Sequence, residues 1–170
     1  MFEKGLYGGR PSDHAEPLPK PPRDYQKSKV RSFFARVPEV MNSRYVRTLP
    51  IDRAQWYVRG CCRRLGIQVV QLQNRPGSKH LCYEMDVLRA GPKSWTIKSL
   101  LQWLSGHLKR VRGVSGDPEH GPLVCGIFIE LVVLFGFSRR DDLREELHAL
   151  AKNTGVEFRS VDPRSKGEPW

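Results

Sequence analysis

The sequence predicts an α+β fold: a mixed β-sheet of about four strands packs with about three helices in two or three α/β layers, preceded by an extended basic N-terminal arm. Two observations support this class. Amphipathic helical patterns alternate with short strand-like runs over residues 49–162, whereas residues 1–48 are rich in proline, glycine and basic side chains. The 170 residues suffice for one compact domain with extensions. We therefore expect an arm over 1–48, a compact α/β domain over 49–162 and a C-terminal tail over 163–170.

The arm has two parts of different composition. Residues 1–24 contain five prolines and a Gly8-Gly9 pair, with almost no apolar periodicity. Such a segment buries too little apolar surface to offset its ordering entropy, so we expect it to become fixed only against a partner. Residues 25–47 interleave basic with aromatic and apolar side chains. That mixture can hold phosphates and stack bases, or pack on a neighbouring protein.

The first half of the domain predicts a helix followed by a hairpin. Asp52 is placed to cap a helix over 53–65, whose apolar positions recur at helical spacing while its arginines lie on the other side. Two strand-like runs follow, over 67–72 and 81–88. The Pro76-Gly77 pair between them fits a type II turn, which predicts a hairpin.

The second half predicts a helix, a strand, a helix and a strand. An amphipathic helix over 95–111 turns its apolar residues inward and its basic residues mostly outward. The run 123–135 is dense in β-branched and aromatic residues, which predicts a central strand buried on both faces. A third helix follows, with Gly155 at its end, and 156–160 predicts a last strand. A strand-helix-strand unit implies a right-handed crossover and parallel pairing.

The cysteines and the hydropathy favour a reducing compartment and no transmembrane segment. The four cysteines contain no CxxC pair, so we expect reduced and mostly buried thiols rather than a zinc site or a disulfide framework. No apolar stretch resembles a secretory signal. The longest apolar run, 122–137, contains Glu130 and is shorter than the roughly 20 residues that span a bilayer.

No catalytic motif is complete, so we expect neither an enzyme nor a cofactor or metal. The sequence lacks a GxxxxGK[ST] loop, a GxGxxG fingerprint and a GxSxG elbow, and its five histidines share no metal-ligand spacing. One alternative stays open. If Glu84, Asp86 and Glu130 converged, they could hold Mg²⁺ as in a small metal-dependent nuclease.

The uneven distribution of charge is the strongest indication of function. Residues 1–50 hold ten Lys/Arg against five Asp/Glu, residues 51–115 twelve against three, and residues 116–170 seven against ten. An arginine-rich region attracts polyanions, and the guanidinium fork binds phosphate in a bidentate manner. Because no RNA-binding signature is present, we expect contacts to the nucleic-acid backbone and shape rather than to base sequence.

We therefore predict a non-enzymatic structural component of a large ribonucleoprotein, bound to structured RNA, with ribosomal RNA expected, and to neighbouring proteins rather than to a small-molecule substrate. The predicted RNA contacts are Arg31, Phe34, Arg36, Arg44 and Arg47 in the arm, Arg59, Arg63 and Arg64 on the first helix, and Lys98, Lys109, Arg110 and Arg112 on the second. In general character the chain resembles the lineage-specific proteins of mitochondrial ribosomes, which join a small α/β domain to long basic extensions. That resemblance implies the mitochondrial matrix. The main alternative is a supernumerary subunit of a respiratory or ATP synthase complex.

Overall fold

The computed structural model describes residues 23–114, 116–137, 141–166 and 170. The helices are α1 (Lys27–Arg36), α2 (Ile51–Leu65), α3 (Ile97–Val111), α4 (Pro122–Phe135) and α5 (Leu143–Asn153). The strands are β1 (Gln71–Asn74), β2 (Cys82–Glu84) and β3 (Val87–Ala90). Within the described residues the α+β class is confirmed, with fewer strands and more helices than the sequence predicts.

The helices predicted over 53–65 and 95–111 are confirmed as α2 and α3. Thr96 begins α3 with a capping box, in which its hydroxyl accepts from the Ser99 N–H and the Ser99 hydroxyl accepts from the Thr96 N–H. The third predicted helix is α5, and Gly155 follows its end at a φ of 71°, which glycine adopts without strain.

The prediction of a central strand over 123–135 is wrong, because this run forms α4. Gly121 is extended and Pro122 occupies the first helical turn, where its fixed φ favours a helix and its missing N–H costs nothing. The helix is buried almost all round, so its sequence lacks the one-sided pattern that identifies a surface helix. α4 packs mainly against α3 and α5 at the centre of the molecule.

The strand predicted over 156–160 is also absent from the described residues. This segment crosses α4, and its Arg159 N–H donates to the Pro122 carbonyl oxygen at 2.9 Å. A Cβ atom at Gly126 would overlap the Arg159 carbonyl oxygen. The extended segment therefore contacts α4 at the one helical position where the absence of a side chain admits another backbone.

The predicted hairpin between 67–72 and 81–88 is wrong as well. The strand order is β1-β3-β2, with β1 parallel to β3 and β2 antiparallel to β3. Met85 and Asp86 split the second predicted strand, since both have positive φ (49° and 61°), as a tight two-residue hairpin turn requires.

Residues 23–48 differ from the extended arm that the sequence predicts. α1 and the turns after it pack on the core, where Val30, Phe33 and Tyr45 are fully buried. Gln26 joins this segment to the end of the chain: its side chain accepts from the Glu157 N–H at 2.9 Å and donates to the Glu157 carbonyl oxygen at 3.1 Å. Residues 1–22 of the arm lie outside the described residues.

Three of the four cysteines are buried, as the sequence predicts. Cys61, Cys62 and Cys125 are buried, Cys82 is exposed, and all four are free. Burial raises the pKa of Cys61 and of Cys125 to about 12, so both stay protonated and unreactive near neutral pH. None of the helices in the described part of the chain combines the length and apolar character needed to cross a bilayer.

Candidate nucleic-acid interface

The outer side of α2 carries four exposed arginines. The inward side carries Ala54, Tyr57, Val58, Cys61, Cys62 and Leu65, all buried. The outward side, called the α2 face below, consists of Asp52, Arg53, Trp56, Arg59, Gly60, Arg63 and Arg64, all exposed. This division follows from the helical period, which places residues three or four apart on one side.

The four arginines of the α2 face have no carboxylate partner among the described residues. Arg63 and Arg64 lie in the last turn, where the negative end of the helix dipole stabilises cations. Arg53 lies in the first turn and Arg59 in the middle, where the dipole offers no such benefit. Helix stability therefore explains half of this charge and leaves Arg53 and Arg59 without a structural role.

Trp56 projects from the centre of these arginines with 72% of its surface exposed. Cavities of about 390 Å³ and about 630 Å³ flank its ring, and both are lined by Trp56, Tyr57 and Phe137. Arg64 borders the smaller cavity, and Asp52 and Arg53 border the larger one. The α2 face thus combines positive charge with an aromatic surface.

Phe137 is held beside Trp56 in an unusual backbone conformation. Its φ is 57°, a region that bulky residues rarely occupy, and its side chain is 52% exposed. The Asn42 side-chain amide donates to the Phe137 carbonyl oxygen at 2.9 Å, and the Tyr57 ring lies 5.7 Å away. Strained backbone of this kind clusters at binding sites.

Two of the arm's predicted contacts lie in the turns between α1 and α2. Arg44 and Arg47 are exposed in the turns between α1 and α2 and have no ion pair within the described residues. Asn42 in the same turns binds Phe137, and Leu49 lines the larger cavity. Residues 42 and 49 of this segment therefore contact the surroundings of Trp56, and its two arginines are exposed nearby in sequence.

The other contacts predicted in the arm differ in whether they have partners within the fold. Arg31 is exposed on α1 without an ion-pair partner among the described residues, whereas Arg36 pairs with Glu39 at 3.3 Å. Phe34 is half-buried, and its ring centroid lies 4.5 Å from that of Phe128 on α4. Packing on the core is sufficient to explain Phe34.

Lys109 of α3 is buried rather than exposed. Its Nζ atom donates to the carbonyl oxygens of Asp117 and Pro118 at 2.7 and 2.9 Å, and lies 3.4 Å from the Asp117 carboxylate. The side chain thereby fastens the loop before α4 to α3. These bonds give Lys109 a structural role within the fold.

The remaining basic residues of α3 do not form a common surface. Arg112 donates to the Leu65 carbonyl oxygen at 3.4 Å and lies over the Trp170 ring at 5.4 Å, so it satisfies the carboxyl end of α2. Arg110 is exposed over the Tyr83 ring at 5.9 Å. Lys98 is half-buried in the first turn. The structure brings the cations of α2 together and disperses those of α3.

The sequence prediction missed Trp56 and Arg53. A signal was present, since Trp56 follows Arg53 by three residues and precedes Arg59 by three, which places all three on one side of the helix. A tryptophan on the cationic side of an amphipathic helix points away from the core, so packing of the core does not explain it.

The carboxylates of the nuclease alternative do not converge. Glu84 lies 3.9 Å from Arg89, Asp86 accepts from the Tyr83 hydroxyl at 2.8 Å, and Glu130 pairs with Arg144. None of the three belongs to a group of potential metal ligands within the described residues. The nuclease alternative therefore has no support in the geometry.

Asp24, Glu119 and His120 do bring potential metal ligands within 4.8 Å of one another. The Asp24 Oδ2 and His120 Nδ1 atoms are 2.6 Å apart. This contact ties the segment before α1 to the loop before α4, and a direct hydrogen bond accounts for it without an ion.

The α2 face can hold a polyanion through its guanidinium groups and can accept a planar group on Trp56. Comparisons with family models, curated proteins and solved structures found no match for this chain. Function is therefore inferred from the chemistry of the described surface.

Proposed function

We propose that this protein is a non-enzymatic structural component of a large ribonucleoprotein and binds structured RNA through the α2 face. One observation carries the proposal: four exposed arginines without described carboxylate partners surround an exposed tryptophan. Asp52 is the one acidic residue of α2, so this face keeps a net positive field, which attracts phosphates. We propose that this ribonucleoprotein is the mitochondrial ribosome, which lies in the matrix.

The proposed contact surface is narrower than the sequence predicts. It keeps Arg59, Arg63 and Arg64 on α2, adds Arg53, and includes Arg44 and Arg47 in the preceding turns. The guanidinium fork suits each of these residues to a bidentate phosphate contact. We no longer include Phe34, Lys109 and Arg112, since each has a structural role in the fold.

To test binding to RNA, the affinity of a variant that lacks positive charge on α2 is compared with that of a variant that lacks it at other exposed positions. A triple variant, Arg59→Gln, Arg63→Gln and Arg64→Gln, is titrated with labelled RNA at several salt concentrations. We expect weaker binding and a salt slope that is smaller by about 3, because each phosphate contact contributes about one unit.

The matched control removes the same charge through Arg75→Gln, Lys79→Gln and Lys152→Gln, which are exposed outside α2. We expect this control to bind almost as well as the original protein. If the two triple variants lost the same RNA affinity, the loss would depend only on net charge. That result would contradict an RNA site on α2.

Membership of a ribonucleoprotein is tested by size fractionation of native extract with and without RNase, following the chain by mass spectrometry. We expect migration with ribosomal particles that RNase abolishes. RNase-resistant migration with a membrane complex would instead support the subunit of a respiratory or ATP synthase complex, in which the same arginines would contact carboxylates or lipid headgroups.

A further inference from the structure

The exposed ring of Trp56 is the part of the α2 face that positive charge does not explain. A surface that held only phosphates would need arginines alone, and leaving most of a tryptophan in water forgoes the stabilisation that its burial would give. Trp56 nevertheless lies at the centre of the arginines, with Arg53 and Arg59 three residues to either side. Its position indicates a ligand that has both charge and a flat apolar surface.

The smaller cavity beside Trp56 offers space for such a flat group. Its volume is about 390 Å³, and its walls include Trp56, Tyr57 and Phe137. Gly60 forms one side, and a Cβ atom there would meet nothing within 4 Å, so the space above the helix backbone is open. Among the described residues, Arg64 is the only charged group that lines this cavity.

The chemistry of the walls predicts weak discrimination between bases. The Tyr57 hydroxyl already donates to the Phe135 carbonyl oxygen at 2.8 Å, and Cys61 is buried. The Arg64 guanidinium lies 5.7 Å from the Phe135 ring centroid, which orients it at the mouth of the cavity. Stacking tolerates any base because every base has a π-face, whereas sequence readout needs free polar groups.

We infer that this cavity binds one unpaired nucleobase stacked on Trp56, with Arg64 and the neighbouring arginines on the flanking phosphates. The inference rests on the proposed function and specifies its ligand as a single-stranded segment of the RNA. Bases of an A-form duplex are stacked on one another and cannot enter the cavity, whereas a loop, bulge or end can present an unstacked base.

The test compares a single-stranded oligouridylate with a duplex RNA of the same length, each titrated with the full chain. We expect Trp56→Ala to weaken binding of the single strand about tenfold, as base stacking contributes at this scale. Binding of the duplex should stay within about twofold, because phosphate contacts remain. Trp56→Phe should restore most of the single-strand affinity, since it retains an aromatic face.

A second variant blocks the cavity and leaves the Trp56 ring in place. Gly60→Leu projects a side chain into the open space and should lower single-strand affinity without affecting the duplex. Gly106→Leu in α3 is the matched control, because a Cβ atom there also meets nothing within 4 Å. Thermal unfolding of each variant checks that the fold is retained.

The outcomes separate this inference from the proposed function. If the original protein binds neither RNA, both fail. If it binds RNA through the arginines but Trp56→Ala has no effect, or weakens both RNAs equally, the proposed function stands and the inference is overturned. If Trp56→Ala abolishes binding of an acidic peptide but leaves binding of both RNAs unchanged, the cavity is a protein docking site and the inference is likewise overturned.

Discussion

Helices α2 and α3 have the same length of 15 residues, the same amphipathic design and a basic last turn, yet they use their cations in opposite ways. The arginines of α2 project into solvent without described carboxylate partners, whereas Lys109 of α3 and Arg112, the residue after it, fasten neighbouring segments. A basic residue on an amphipathic helix therefore indicates function only after its partners are known.

The two helices also differ in their aromatic residues. On α2 the aromatic ring of Trp56 is exposed, while on α3 the Trp103 and His107 rings stack 4.6 Å apart and Tyr83 packs against both. The aromatic cluster of α3 holds the β2-β3 hairpin on the helix. The aromatic residues of α3 thus serve the fold, whereas the outer side of α2 leaves its tryptophan exposed to solvent.

The largest expected effect on stability is the loss of Lys109. We expect Lys109→Met to lower the free energy of unfolding by about 3 kcal/mol, because the Asp117 carboxylate and two carbonyl oxygens lose their donor while largely buried. Urea unfolding measures the change. Arg59→Met on α2 is the control, and a loss of similar size there would contradict the distinction between the helices.

The next effect is a dependence of stability on pH that arises in α3. Burial, and secondarily the charge of Arg110, lower the pKa of His107 to about 4, while Asp86 opposes this shift. Between about pH 6.5 and 4 the unfolded chain binds a proton that the folded chain excludes, so stability is complete above this range and declines as pH falls.

We expect this decline to amount to about 2 kcal/mol between pH 7 and 4 and to be smaller in His107→Gln. The measurement is the urea midpoint across that range. His80→Gln, at an exposed position, should keep the original profile. An unchanged profile in His107→Gln would assign the decline to the carboxylates instead.

The smallest effect has the opposite sign and is expected in α2. Gly60→Ala should raise the free energy of unfolding by about 0.5–1 kcal/mol, because alanine favours the helix and its Cβ atom meets nothing within 4 Å. The midpoint of thermal unfolding is the measurement. A destabilised Gly60→Ala protein would mean that the outer side of α2 packs against part of the chain.

The sequence predicts amphipathic elements well and buried elements poorly. α2 and α3 follow from their one-sided patterns, but α4 is apolar all round, so periodicity could not separate it from a buried strand. Its 14 residues and the proline in its first turn favour a helix over a strand, which usually has 4–8 residues. The parallel pairing of β1 with β3 is a long-range arrangement that no local pattern contains.

The candidate site could be predicted in part for the same reason. Arg59, Arg63 and Arg64 follow from the helical period, whereas the burial of Lys109 depends on the loop at Asp117 and Pro118, which only the fold brings to α3. Phe137 could not be predicted because its exposure depends on a positive φ and on Asn42, a residue distant in sequence.

The pairing of Gln26 with Glu157 also has a consequence for synthesis of the chain. These residues are separated by 131 positions, and Gln26 is 1% exposed, so this buried pair can form only after α5 has been made. Folding in step with translation would leave α1 without this anchor until Glu157 leaves the ribosomal tunnel.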